Sequence, residues 1–268
     1  MTHAIQTSFS FINNIGTIRN EVISRHGCNP SWIKITTITI TSKFTEAIPV
    51  EVIKEYFATN KQIQIKPKNS NYRWTWKVAN TSFYNQVSIY TDDHRSRKSV
   101  KLFPNGAVQV TGCCDMLDCD KVLRQISCVV SHIVGKPRKV DNYNIHMINS
   151  NFSLNQMVNL ENVFNVFTEE GHDTTFNPDR YSAVKIKIKV LDTAKVTVSI
   201  FSSGRIIVTG AKALQEVAEG YKCIMETVFR NKHSITTDSV DKIEKFDMWR
   251  GSTIQEWLEK ISQATITQ

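Results

Sequence analysis

The chain has 268 residues, of which 41% are hydrophobic, enough to bury one large core or two small ones. Its 33 Lys and Arg exceed its 25 Asp and Glu, a formal net charge of +8 at pH 7 that favours an anionic partner such as nucleic acid. No run of about 18 apolar residues occurs and "MTHAIQTSFSFINNIG" lacks a signal peptide's basic region and cleavage site, so neither a membrane helix nor secretion is expected and an intracellular protein is.

The first 30 residues form an amphipathic extension with Phe11, Ile15, Ile18 and Val22 on one side. The β-branched run "IKITTITITS" predicts a strand, and "IPVEVIKEYF" a helix with Val50, Ile53 and Phe57 at helical spacing. Lys61 to Val78 reads as an inserted hairpin with Trp74 and Trp76 on one face, expected to pack in the core. In "FYNQVSIY" alternation puts Val87 and Ile89 on one face and Tyr84, Gln86, Ser88 and Tyr90 on the other. The hairpin "DDHRSRKSVK" supplies Arg95, Arg97 and Lys98 to the rim. Then "LFPNGAVQVTGC" reads as two short strands around a turn, Val108 and Val110 facing the core and Gln109 and Thr111 facing away. A helix with an apolar stripe of Val122, Ile126, Val129 and Ile133 follows, and the basic connector "GKPRKVDNYN" separates this half from the next.

The order then repeats. "YNIHMINSNF" is a strand and "MVNLENVFNVF" a helix. In the next strand Val184, Ile186 and Ile188 share one face, with Tyr181, Lys185, Lys187 and Lys189 opposite. "IFSSGRIIVTGAK" repeats the earlier turn motif: Phe103 and Phe201, Gly106 and Gly204, Thr111 and Thr209, and Gly112 and Gly210 are all 98 positions apart. Ile206 and Val208 point to the core, Ile207 and Thr209 away, and a second long helix carries Val217, Tyr221, Ile224 and Val228. The helices cover the apolar face of an antiparallel sheet and leave a Thr, Lys and Tyr face open. Beyond it, Ser252 with Gln255 forms a capping box ahead of Ile254, Trp257, Leu258 and Ile261, predicting a C-terminal helix. The expected division is an extension over 1–30, one repeat over 31–135 with the hairpin at about 61–78, a second over 136–233, and a helical extension over 234–268.

No nucleotide-binding loop, nucleophile elbow or HExxH spacing occurs, and Cys113, Cys114 and Cys119 gain no fourth ligand from spacing. No catalysis, cofactor, metal or small-molecule substrate is expected, and the six cysteines read as reduced thiols.

"NPDRYSAVKIKIK" followed by "SIFSSGRIIVTGAK" resembles the TATA-binding protein family, whose repeats carry an Asn-Pro-Lys-Arg-Phe strand and then Ile-Phe-x-Ser-Gly-Lys and Val-x-Thr-Gly-Ala-Lys. The second repeat matches well, the first mainly through "KLFPNGAVQVTG" and the order of elements. The resemblance implies an α+β fold of two pseudo-symmetric repeats forming a saddle, a curved antiparallel sheet with helices on the convex face. It implies minor-groove binding and bending of AT-rich double-stranded promoter DNA, with Tyr84, Phe103, Tyr181 and Phe201 as intercalating wedges. Groove contacts fall on Thr37, Thr39, Gln109, Thr111, Asn149, Ile207 and Thr209, and phosphate contacts on Lys185, Lys187, Arg205 and Lys212. A TFIIB-like factor and RNA polymerase are the implied protein partners, and the nucleus or, for a chain from a large DNA virus, a cytoplasmic factory or virion is the implied location. Tyr181 stands where the family has Phe, and its paired asparagines have no clean counterpart, so a protein-interaction module that kept the fold without sequence-specific DNA binding is the competing expectation.

Overall fold

The computed structural model describes residues 15–66, 73–79, 85–92, 96–191, 194–237, 252, 253 and 256. They fall into two compact units, the first Thr37–His146 and the second Met1–Thr36 with Met147–Gln268. In chain order the elements are α1 (15–26), β1 (Lys34–Lys43), α2 (Val50–Asn60), β2 (Gln62–Ile65), β3 (Trp74–Val78), β4 (Val87–Asp92), β5 (Arg97–Leu102), β6 (Ala107–Cys113) and α3 (Met116–Val134). They continue with β7 (Asn144–Ser153), α4 (Leu160–Glu169), β8 (Asp173–Asn177), β9 (Tyr181–Val190), β10 (Ala194–Phe201), β11 (Arg205–Ala211), α5 (Leu214–Arg230), α6 (Lys232–Ile235) and β12 (Ser252–Thr253). The fold class is α+β.

The first unit's strands run in the order β2-β3-β4-β5-β6-β1, each pair of neighbours antiparallel. Alternation decides which residues go inside. Ile40, Val100, Val110 and Ile89 lie in one cross-strand row and none exceeds 0% exposure, because α2 and α3 lie over that side. Asp115 caps α3 by accepting the Asp118 N–H at 2.8 Å, and Gly135 ends it in the left-handed conformation. The inserted segment is a hairpin: β2 pairs with β3, Ile63 opposite Trp76, and the Trp76 Nε1 donates to Gln125 Oε1 of α3 at 3.2 Å. A tryptophan this deep needs such an acceptor for its N–H.

In the second unit the order is β7-β11-β10-β9-β8, again antiparallel, with α4 and α5 over one side. Val217, Tyr221, Ile224 and Val228 of α5 are all buried, and Phe152 packs edge-on to Tyr221 at 4.8 Å. The N-terminal arm is built into this unit. Ser31 N–H donates to the Ser153 carbonyl and Ser153 N–H to Ser31 Oγ, both at 2.8 Å; Asn155 Nδ2 donates to the Asn29 carbonyl at 2.7 Å; and Arg19 lies 5.1 Å over the Trp32 ring.

Two expectations are corrected. Ser252 does not cap a helix: with Thr253 it forms β12, paired with Ile35 and Lys34 of β1, so the backbone groups that a capping box would satisfy go into a ladder instead. The rest of that capping box and the apolar stripe at Ile254, Trp257, Leu258 and Ile261 lie outside the described residues. Lys98 does not reach a rim. It is 1% exposed, bonded to Asp118 Oδ2 at 2.9 Å and Ser96 Oγ at 2.6 Å, while the same carboxylate oxygen accepts the Cys114 N–H at 3.0 Å. A lysine on the helix-covered side of β5 can stay charged only with this partner, and the pair fixes the start of α3 to the sheet.

Tyr221 is fully buried and its hydroxyl has no hydrogen-bond partner among the described residues, so burial pushes its pKa up and the group carries a desolvation cost. Tyr221→Phe is therefore expected to stabilise the fold by about 1 kcal/mol, read as a higher urea midpoint with unchanged slope. The repeated Thr-Gly pair offers a second test. Gly112 and Gly210 have φ of 97° and 91°, but a Cβ at Gly112 would lie 2.0 Å from the Arg97 carbonyl oxygen, against 3.7 Å from that of Lys195 for Gly210. Gly210→Ala should cost about 1 kcal/mol of backbone strain, and Gly112→Ala about 2 kcal/mol more for displacing the β5 backbone; equal costs in denaturant titrations would contradict this.

Candidate nucleic-acid interface

On the side of the second unit's sheet away from α4 and α5, the register lines up cross-strand rows. One runs Asn151, Ile207, Ser199, Lys185, Thr175; the next runs Thr209, Thr197, Lys187, Asp173; a third pairs Lys195 with Lys189. Lys185, Lys187, Lys189 and Lys195 are all exposed while Val184, Ile186, Ile188 and Val190 between them are buried. Every second residue of β9 is thus spent on the core, and the remainder forms a basic face.

The face ends in an aromatic pair. Phe201 closes β10 opposite Ala183, a methyl neighbour too small to cover its ring. Tyr181, 37% exposed, meets Phe201 edge-on with centroids 5.8 Å apart, and the Lys185 ammonium sits 4.3 Å from the centre of the Tyr181 ring. The turn after Phe201 closes with the Gly204 N–H donating to the Phe201 carbonyl at 2.9 Å. Lys187 bonds Asp173 at 2.8 Å, and that hydrogen bond with the lysine's charge holds the Asp173 carboxyl below its usual range. Thr209 and Ile207 are half-buried on this face, and the Thr209 hydroxyl donates to the Thr197 carbonyl at 3.3 Å. Arg205 is half-buried beside the turn, and Lys212 is exposed at the start of α5, its backbone N–H on Glu216 at 2.8 Å. Asn149 is half-buried, its Oδ1 buried without a partner among the described residues.

The first unit's corresponding side carries Thr41, Gln109, Lys101 and Ser88 in one row and Thr111, Ser99, Tyr90 and Lys77 in another. Gln109 and Thr111 are half-exposed there, as alternation predicts. Phe103 is half-exposed on a turn built like that of Phe201, with the Gly106 N–H on its carbonyl at 2.9 Å. Tyr84 and Arg95 lie outside the described residues. Gln86 and Ser88 keep the parity expected of them but are 7% and 3% exposed, Gln86 Nε2 turned onto Ser88 Oγ at 3.3 Å, because a short serine beside Lys101 is shaded by its neighbours. Thr37 is half-buried, whereas Thr39 falls at the bulge between Ile38 and Ile40 and is 4% exposed, so no groove contact is proposed for it.

Sequence reasoning missed two acidic features. Arg97 is held by Asp92 through hydrogen bonds of 2.8 and 3.3 Å and stacks 4.7 Å over Tyr90, and Asp173 tempers the lysine face. Asp92 and Arg97 face each other across β4 and β5, and treating them as cross-strand partners would have revealed the first. Among the described residues no three His, Cys, Asp or Glu side chains converge as a metal site. The hydrogen bond with the neighbouring Cys119 thiol, and then burial, push the Cys113 thiol up.

Asp173→Asn removes the carboxylate that competes for Lys187. Binding of a short dye-labelled duplex at low salt should tighten about two- to fivefold by anisotropy; an unchanged affinity would take Lys187 out of the anion-binding surface.

Residues 142–230 match the family model of transcription factor TFIID, or TATA-binding protein. The chain is 29% identical over 244 residues to a TATA-box-binding protein-like protein of Acanthamoeba polyphaga mimivirus, covering 75% of this chain and 66% of that one. It is 31% identical over 101 residues to the TATA-box-binding protein of Pyrodictium occultum, covering 38% of this chain and 46% of that one. The chain therefore spans less than two thirds of the length of either relative. The solved structure of Methanococcus jannaschii TBP superposes with a TM-score of 0.52 at 18% identity, over 75% of this chain and 99% of that one, a likeness of fold. With its duplicated turn motif and the helix-backed sheet of each unit, the chain is a divergent TBP-like protein, similar to the TATA-binding protein family over residues 142–230 in sequence and to Methanococcus jannaschii TBP in fold.

Proposed function

We propose that the chain binds the minor groove of AT-rich promoter DNA through the open faces of its sheets and bends it, as a non-catalytic initiation factor. The observation that carries this reading is the contact of Tyr181 with Phe201, 5.8 Å apart at the end of a face otherwise made of lysines, small hydroxyls and Ile207. Lysines supply a sequence-independent attraction to phosphates, whereas flat aliphatic and hydroxyl side chains suit a shallow groove whose acceptor pattern is nearly the same for A·T and T·A. A paired aromatic wedge supplies apolar surface to replace stacking lost at a kinked base step. Phosphate contacts are assigned to Lys185, Lys187, Arg205 and Lys212, and groove contacts to Thr37, Gln109, Thr111, Asn149, Ile207 and Thr209. Phe103 takes the wedge role in the first unit, with Tyr84 as its sequence counterpart to Tyr181. By family analogy the bound complex recruits a TFIIB-like factor and RNA polymerase, in the nucleus or, in the viral setting of its mimivirus relative, in a cytoplasmic factory or virion.

Energy transfer between dyes at the two ends of a short duplex tests this. Salt-sensitive binding with end-to-end shortening is expected on an AT-rich duplex and not on a GC-rich one. Phe201→Ala should weaken AT-rich binding about tenfold or more and relax the bend, while Tyr181→Phe, which removes a hydroxyl that resists insertion, should sharpen it. Equal or unbent binding on both duplexes would move the function to protein partners.

A further inference from the structure

The first unit has one strand more than the second. From α4 the second unit passes directly to its edge strand β8, which pairs with β9; from α2 the first passes to β2 and only then to β3, which holds the equivalent place beside β4. β2 is therefore an addition at the edge of the sheet, and the family match at residues 142–230 does not reach it.

The ladders carry the open face out onto this addition. Lys77 stands between Tyr90 and Gln62, and Gln64 is opposite Thr75, so these residues share the side that bears Thr111 and Ser99. Alternation carried one residue past the strand ends puts Lys66 and Arg73 on that side too. Lys66, Arg73, Lys77, Gln62 and Gln64 are all exposed. The opposite side is spent on the core, where Ile63 and Trp76 are buried and the Trp76 indole bond to Gln125 fixes the hairpin to α3. Between Glu55 and Asp92 the sequence contains five Lys and Arg and no Asp or Glu. Among the described residues none of Lys66, Arg73 and Lys77 forms a salt bridge, and Asp92 is held by Arg97. Like charges set side by side on paired strands repel, and an anion laid along them removes that cost. Guarding a sheet edge against wrong pairing needs charge on the edge strand itself, which accounts for Lys66 but not for Lys77 on β3, one strand further in. Arg73 and Lys77 are four residues apart, about 13 Å of strand, so the cations form a line that suits a chain of phosphates better than one small anion.

Resting on the DNA reading above, we propose that the inserted hairpin is an added phosphate-binding element, in which Lys66, Arg73 and Lys77 contact the backbone of the bound duplex and Gln62, Gln64 and Thr75 lie along it as neutral hydrogen-bonding groups. Ala107 and Cys114 stand 98 positions before Arg205 and Lys212 of the second repeat, and the hairpin supplies cations to the first unit from a different element. Its rigidity comes from the buried tryptophan behind it.

The test follows binding of the full chain to a dye-labelled AT-rich duplex by anisotropy over a salt series. Lys66→Gln, Arg73→Gln and Lys77→Gln are combined in one variant, its fold checked by circular dichroism and its urea midpoint. The slope of log affinity against log salt should become shallower by about 2 to 3, close to one phosphate per cation removed. On a longer duplex its hydroxyl-radical footprint should lose backbone protection at one edge. A control variant removes the same charge from Lys121, Lys136 and Lys222, exposed on or just past α3 and on α5, and should keep the original slope. An unchanged slope and footprint in the hairpin variant would overturn the proposal, and so would an equal fall in both variants, which would reduce the effect to net charge. Failure of the unaltered chain to bind the duplex would instead overturn the DNA reading, and the hairpin's role with it.

Discussion

An antiparallel strand presents its residues alternately to two sides, and once helices claim one side the other is left without anything to pack against. Most of the proposed interface follows from that constraint. Val184, Ile186, Ile188 and Val190 are consumed by α4 and α5, which forces Lys185, Lys187 and Lys189 into a row. Each unit's motif obeys the same rule, with Val108 and Val110, or Ile206 and Val208, inward and Gln109 and Thr111, or Ile207 and Thr209, outward.

Exceptions to the rule are where the chain carries its polar costs. Lys98 faces the helices and survives there only through Asp118, with Asp115 and Cys114 tied into the same junction. Such a pair adds little to net stability over an apolar replacement, but it specifies how α3 meets β5 and β6. The same economy shows on the open side, where Asp92 and Asp173 each restrain a cation that would otherwise repel its neighbours. One of these pairs silences its arginine, the other leaves three further lysines beside it.

Local patterning made a large part of this legible. The β-branched run of β1, the period-two run of β9, the apolar stripes of α2, α3 and α5, and the pairing of β2 with β3 all follow from side-chain spacing, because neighbours in sequence decide them. The constant separation of the two motifs made the duplication visible, and parity alone put Tyr181 on the lysine side. Contacts between distant segments were not legible. Nothing near Ser252 announces that it pairs with Ile35, and the Ser31 and Asn29 bonds to Ser153 and Asn155 join segments more than a hundred residues apart. The burial of Ser88 and Thr39 escaped as well, since parity gives the side a residue faces but not what stands beside it or where a bulge shifts the register.

The division of the chain also sets an order of assembly. The first unit is one continuous stretch, Thr37–His146, whereas the second is drawn from both sides of it, Met1–Thr36 and Met147–Gln268. During vectorial synthesis the continuous unit has all its strands as soon as it leaves the ribosome. The arm around Asn29 and Ser31 has to wait, unmatched, until β7 and the loop after it emerge, and its hydrogen bonds form late over a long loop closure. The half bearing the lysines and the aromatic pair is therefore completed last, so a nascent chain does not display the finished lysine face while it is still being made.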